Sequence, residues 1–508
     1  MEYILTLDAG TTGVKCAAFS RDGQALFART VEYPTRYPGP GWAQQRPEEQ
    51  VSAAVAAIRA ALARLAAADC AALVFSGTMN GCIPIGPDGL ALHDNIIHSD
   101  LRAADQTRRI SDAIPLPDYY RVTGNRIDVH SGLPKYMWLR EYLPDLYKKT
   151  WKFVNIKDYL YGRFTGRCGC TDPTDASLCS CLDLNCGDWA WDILRACGVD
   201  AAKMPELLPS CDISARLNAD FAALTGLPQG LPVAMGAGDG ACAAHGARSQ
   251  TVGDTYMNIG SSAWVSTLAP APARDAQMRL FSYYDCDGVG YNICGTVQSG
   301  AAAFDWAVRN LLCPGEERPD YDGLEALART APPGAEGLFY LPTLMGERTP
   351  WWTAKASGTL MGFTLYHERR HLARAVYEGV MEALHLCGDI LAENGLPANR
   401  LTLIGGGAAS ALWAQMASDM FGVPVRVHAS PREATSLGAA LTAGVGIGWY
   451  ADFSEAAQRI SVARTYTPDP QAHAAYREHL AVYRSLYPQM RGAYEAVYSY
   501  QQKGKQNG

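Results

Sequence analysis

The sequence lacks any uninterrupted run of about 18 apolar residues, so an ordinary membrane-spanning helix is not expected. It also lacks the basic n-region and apolar h-region of an export signal. The chain begins MEYILTLDAGTTG, which reads as a strand entering a turn, and the expected location is cytoplasmic. No basic block with interleaved aromatics is present and the formal net charge is -7, which argues against nucleic acid as the partner. The P-loop pattern G-x-x-x-x-G-K-[ST] is absent, as are H-E-x-x-H, G-x-S-x-G and the protein-kinase H-R-D. Any nucleotide chemistry must therefore use another architecture.

What is present is ordinary for a globular chain, with 48% hydrophobic and 19% charged residues. At 508 residues the chain exceeds what one core accommodates, so two or more domains are expected. The 15 cysteines, in the absence of an export signal, are expected to be reduced thiols. Cys168, Cys170, Cys179, Cys181 and Cys186 cluster in sequence. Their C-x-C spacing departs from the C-x-x-C of zinc knuckles and suits small buried side chains better than a metal site.

Apolar runs alternate with amphipathic stretches, the pattern of an α/β protein. LTLDAG and VKCAAFS read as strands around a Gly/Thr turn, residues 47–69 as a helix, and ALVFSG, LPVAMGAGDG and LTLIGGG as strands ending in glycine. LTLDAGTTGVKCAAF (5–19) resembles TYMNIGSSAWVSTL (255–268), each being strand, glycine, two hydroxyl residues and strand. The repeat implies two similar halves, with a boundary near residues 245–253. Residues 471–501 read as a helix, followed by a disordered tail, KGKQNG.

Three motifs could carry chemistry. In DAGTTGVK (8–15), glycine lets backbone N–H groups converge on phosphate, threonines add donors, and an aspartate at the strand end can hold a hydrated magnesium ion. An ordinary hairpin turn is the alternative. In GAGDGACAAHGA (236–247), Asp239 lies inside a glycine turn. Gly236-x-Gly238-x-x-Ala241 also fits a dinucleotide fingerprint, but a carboxylate there would repel a pyrophosphate and suits a proton acceptor beside a transferring phosphoryl group. In IGGGAAS (404–410), three glycines allow a flat ligand such as a nucleobase to approach, or simply a tight turn.

Taken together, these motifs resemble the FGGY carbohydrate kinases, xylulokinase-like members of the actin-like ATPase superfamily. The resemblance spans roughly residues 3–470 in order: DAGTTGVK, SGTMNG (76–81), NIIHSDLRA (95–103), NIKDYLYGRFTG with TDPTDAS (155–177), GAGDGA, NIGSS, LPTLMGERTPWW (341–352) and IGGGAASALWAQMASDMFGVPV (404–425). It implies two actin-like (ribonuclease H-like) α/β domains with a nucleotide and sugar cleft between them. The expected divisions are an N-terminal domain at 1–247, a C-terminal domain at 248–475, and a helix and tail at 476–508. It implies ATP and Mg2+ as cofactors, a small sugar as acceptor, and no nucleic-acid or membrane partner. A homodimer stays open.

By that resemblance Asp239 is the general base and Asp8 supports magnesium. Gly10, Thr11, Thr12 and Lys15 surround the phosphates, with Gly260 and Ser261 opposite, and Gly405, Gly406 and Ala409 border adenine. Met79, Asn80, Asp100, Arg102 and Asp239 face the sugar. Departures lie on the sugar side. Asn80 stands where xylulokinases usually have histidine, His98 and Ser99 where tryptophan and a polar partner are common, and Gly240 where asparagine or glutamine is common. A ketopentose such as xylulose is the first expectation. Another ketose, a polyol or a sugar acid is the alternative, and a NAD-dependent oxidoreductase or a non-catalytic sugar sensor is remoter.

Overall fold

The computed structural model describes residues 1–248 and 250–506, with side chains through Gln502. The chain divides into two compact units. The first comprises Met1–Thr251, Leu268–Asn292 and Glu433–Ser461; the second comprises Val252–Thr267, Ile293–Arg432 and Val462–Gly508.

The first unit is built on a six-stranded sheet. Strands β1 (Tyr3–Ala9), β2 (Gly13–Ser20), β3 (Ala25–Glu32), β4 (Cys70–Gly77), β5 (Ala215–Arg216) and β6 (Pro232–Gly238) take the order β5-β6-β4-β1-β2-β3. β1 pairs antiparallel with β2 and parallel with β4. A central strand covered on both faces needs near-continuous apolar sequence, and YILTLDA supplies it, buried except at Asp8. β3, at the edge, is largely exposed. Leu5, Leu7, Ile58, Leu73, Phe75, Phe164 and Val233 meet in the core of this unit.

Helix Pro47–Leu62 packs on β2 and β3, with Pro47 in its first turn and Glu48 and Glu49 favourably placed at its N-terminal end. It ends seven residues before the position the periodicity suggests. Residues 67–69 form a 3-10 turn instead, because the chain must reverse there to enter β4 at Cys70.

The second unit repeats this plan. β7 (Asp254–Ile259), β8 (Ala263–Ala269), β9 (Tyr291–Val297), β10 (Arg400–Ile404), β11 (Val425–His428) and β12 (Val462–Tyr466) follow the order β9-β8-β7-β10-β11-β12, and strand Phe281–Tyr284 pairs outside β9 as a seventh. β7 pairs antiparallel with β8 and parallel with β10, as β1 does with β2 and β4. The short sequence repeat thus marks corresponding hairpins in two sheets of like topology.

Helix Pro470–Gln506 closes the chain, and Asn507 and Gly508 lie outside the described residues. The helix therefore extends into the segment expected to be a disordered tail. It is pinned through Tyr476, whose hydroxyl donates to Glu378 (2.7 Å), and through His479, 2.7 Å from Glu382. Of the clustered cysteines, Cys170, Cys179 and Cys181 are buried and Cys186 is exposed. Among the described residues no helix is long and apolar enough to cross a membrane.

Candidate active site

β6 ends where helix Asp239–Ala247 begins, so Asp239 occupies the first helical position. Two close approaches set this junction. Gly236 has φ +74, and a Cβ there would lie 1.7 Å from the Phe75 carbonyl oxygen. Only glycine allows β6 to press on β4 with the register shift seen between Ala234 and Ala237. Further on, a Cβ on Gly246 would lie 1.9 Å from the Ala434 carbonyl oxygen, and one on Gly438 would lie 1.8 Å from that of Cys242. The helix bearing Asp239 and helix Ala434–Gly446 therefore cross at backbone contact. This explains why residues 433–461, far along the chain, belong to the first compact unit.

Asp8 lies near the end of β1, opposite Lys15 on β2 and Ser76 on β4. Its Oδ1 is buried without a hydrogen-bond partner. Burial pushes the Asp8 carboxyl up, opposed by the Lys15 charge and Ser76. Asp239 is half-buried, and its pKa is pushed up to about 7, first by loss of hydration and then by the like charge of Asp8. The Gly240 N–H, which donates to Asp239 Oδ1 at 2.7 Å, and the Met79 N–H oppose the rise. A carboxylate so tuned is suited to accept a proton near neutral pH.

The hairpin tip at 10–13 is tied down from behind. The Tyr33 hydroxyl donates to the Gly10 carbonyl, Gln45 Nε2 to that of Thr11 (2.7 Å), and the Tyr33 N–H to that of Thr12 (3.2 Å). In a trans peptide the N–H opposes the C=O. The N–H groups of Thr11, Thr12 and Gly13 therefore face away from these ties, where Thr11 and Thr12 are exposed. Outward-facing amides flanked by hydroxyls are groups that can bind an anion.

The second unit repeats the device. The Ala301 N–H donates to the Gly260 carbonyl at 2.8 Å and the Gly300 N–H to that of Ser261 at 2.9 Å, turning the N–H groups of Ser261 and Ser262 outward beside their exposed side chains. Beyond β10, Gly405 adopts φ +84, and a Cβ there would lie 2.6 Å from Asn258 Oδ1. Gly406 and Ala409 are exposed on a 3-10 turn, and a Cβ on Gly406 would meet nothing within 4 Å. That leaves a surface free of bulky side chains at the start of helix Ala411–Phe421.

On the expected sugar side, Met79 packs against the base loop, and a Cβ on Gly238 would lie 2.7 Å from its sulfur. Asn80 has φ +66 and a buried Oδ1 without a partner. Its carbonyl accepts from Lys135 Nζ, which also donates to His130 O at 2.8 Å. Burial pulls the Lys135 pKa down to about 8. Asp100 and Arg102 are engaged first with each other. Arg102 Nε donates to Asp100 Oδ1 at 2.9 Å, Asp100 Oδ2 also accepts from the Ala43 N–H, and the guanidinium lies 4.0 Å from the Trp42 ring centroid. Arg102 Nη1 is the one atom of this pair buried without a partner. Tyr33, Gln45 and Lys135 thus position site loops.

Among the described residues no group of three or more His, Cys, Asp or Glu side chains could hold a metal. Two carboxylates, one with a buried unpartnered oxygen, nevertheless fit Mg2+, which takes few protein ligands and keeps several waters.

The chain is similar to known proteins over nearly its whole length. Residues 3–246 match the family model of the N-terminal domain, and residues 255–447 that of the C-terminal domain, of the FGGY family of carbohydrate kinases. The chain is 29% identical over 504 residues to the xylulose kinase of Bacillus subtilis, covering 98% of this chain and 99% of that protein. It is 27% identical over 508 residues to the gluconokinase of the same organism, covering 98% of each. The ligand-bound xylulose kinase of Lactobacillus acidophilus superposes with a TM-score of 0.91 at 26% identity, covering 98% of this chain and 100% of that one. The gluconate kinase of that organism gives 0.91 at 26% identity, covering 98% and 99%. The α/β fold expected from the sequence, with two actin-like domains, is the fold these structures share. The chain belongs to the FGGY family of carbohydrate kinases, ATP-dependent phosphotransferases with an alcohol group as acceptor.

Proposed function

We propose that this kinase phosphorylates a ketopentose, D-xylulose first among them, with Asp239 as general base. The observation that carries the reading is the Asp239 carboxylate at the helix start, raised to about 7 beside Asp8. The acceptor hydroxyl gives its proton to Asp239 as its oxygen bonds to the γ-phosphorus of ATP. The bond from that phosphorus to the ADP oxygen breaks, ADP leaves, and Asp239 later returns the proton to solvent. Such a transfer needs positioning and charge neutralisation more than covalent help.

Gly10, Thr11, Thr12 and Lys15 in residues 1–247, and Gly260 and Ser261 in residues 248–475, are assigned to the phosphates. Gly405, Gly406 and Ala409 are assigned to adenine, and Met79, Asn80, Asp100 and Arg102 to the sugar. Asp8 would hold Mg2+, directly or through water, and the ion when bound neutralises phosphate charge. The protein is taken to work in the cytoplasm on small molecules.

The similarity to xylulose kinases over nearly the whole chain supports the ketopentose. A sugar acid is the second reading, favoured by near-equal similarity to gluconokinases. An ADP-release screen with D-xylulose, other ketoses, polyols and gluconate separates the two. Highest kcat/KM with D-xylulose is expected, and turnover of gluconate alone would overturn the assignment.

A further inference from the structure

Behind the loop that carries Asp239 lies a buried lysine ringed by carboxylates. Lys157 Nζ is 2.6 Å from Asp158 Oδ1, 3.2 Å from Asp172 Oδ1 and 3.5 Å from Asp175 Oδ2, and all four side chains are out of solvent. One ammonium cannot neutralise three carboxylates in such a place. Burial accordingly pushes the Asp175 carboxyl well above the usual range, with Asp158, Asp172 and Asp239 adding to the rise. Asp158 is held by the Asn155 N–H at 3.0 Å and forms the capping box of its own helix. Neither oxygen of Asp175 has a hydrogen-bond partner. Asp172 has a different set of contacts.

Asp172 Oδ2 accepts from Thr174 Oγ1 at 2.7 Å, the Thr174 N–H at 3.1 Å and Ser210 Oγ at 2.7 Å. The Thr174 hydroxyl has a single proton, and it is committed to Asp172. Its lone pair then faces the Gly238 N–H, which donates to Thr174 Oγ1 at 2.8 Å. Gly238 is the last residue of β6 and directly precedes Asp239. The line Lys157, Asp172, Thr174, Gly238 thus gives each hydrogen bond a fixed direction and ends one residue from the base.

We propose that Thr174, oriented by Asp172 and Lys157, is a positioning residue that holds the Asp239 carboxylate in its productive direction. The proposal rests on reading Asp239 as the base. Without the hydroxyl, the Gly238 N–H is left buried and unsatisfied, and the loop can relieve that only by moving. Movement would loosen the Gly240 N–H bond to Asp239 and turn the carboxylate away from its productive direction.

The test is steady-state kinetics on Thr174→Val and Thr174→Ser, with binding of ATP measured separately and folding checked by thermal melting. T174V keeps the shape and loses the hydroxyl. Its kcat is expected to fall about tenfold or more, with the KM for sugar and for ATP within about twofold. T174S is expected to recover most of kcat. Asp172→Asn provides a second route if T174V does not fold. An amide N–H turned toward Thr174 would compete with Gly238 for the same lone pair, and the same loss of kcat is expected. Wild-type kcat in T174V, or in D172N where that replaces it, beside an inactive Asp239→Asn, would overturn this proposal alone. Full activity of D239N would remove the base reading on which it rests.

Discussion

Asp239 should weaken the fold that it serves. Its carboxyl is raised from an ordinary 3.8 to about 7, so in that interval the folded protein holds a proton that the unfolded chain has released. Stability conferred by the protonated form is complete below the unfolded pKa and is lost as pH rises through 7. A rise of this size corresponds to on the order of 4 kcal/mol, a ceiling that water reaching the open side of the carboxylate reduces.

Asp239→Asn removes the titration while keeping the shape. Thermal unfolding without nucleotide, sugar or magnesium should show D239N melting a few degrees above wild type at pH 8. The gap should shrink to under about half at pH 5, where much of the wild type is protonated when folded. The same variant should be inactive. A D239N protein that melts at or below wild type at pH 8, or whose advantage is equal at pH 5 and pH 8, would refute the claim that burial and the Asp8 charge strain this carboxylate.

The same pKa predicts an acidic limb in kcat/KM for the sugar near pH 7, with about a tenth of the pH-optimum value left at pH 6. A profile flat down to pH 5 would contradict it. Gly438→Ala puts a Cβ 1.8 Å from the Cys242 carbonyl oxygen, and calorimetry should record a loss of about 1–3 kcal/mol together with falling activity as the helix bearing Asp239 shifts. An unchanged melt would show that this crossing is looser than described. Gly240→Asn starts from a Cβ 3.3 Å from the Tyr283 hydroxyl and 3.6 Å from Met79 sulfur. Initial-rate kinetics should show kcat/KM for the sugar down about tenfold with the KM for ATP unchanged, and wild-type values would mean the notch beside the base has room for an amide.

The parts of this protein that were legible in its sequence are local. A central strand buried on both faces announces itself as YILTLDA, and glycine followed by two hydroxyl residues announces each hairpin tip. The place of Asp239 at a strand-to-helix junction was readable from the glycines on either side of it. What could not be read depends on distant contacts. Nothing in ATSLGAALTAGVG signals that Gly438 will lie against Gly246, since the fit exists only once both helices are formed. Gln45 gives no sign that it will reach Thr11, and helix Pro47–Leu62 stops short because β4 must begin, not because its periodicity fails. Asp172 and Asp175 look like turn caps. Asp172 does cap helix Pro173–Leu178, whereas Asp175 faces the buried Lys157.

The most direct test is to detect sugar phosphate formed from ATP and D-xylulose by wild type and by D239N, with ATP binding measured on both. The account predicts one sugar phosphate and one ADP per ATP consumed by wild type, and no product from a D239N protein that binds ATP as wild type does. Product formation by D239N at the wild-type rate would contradict it.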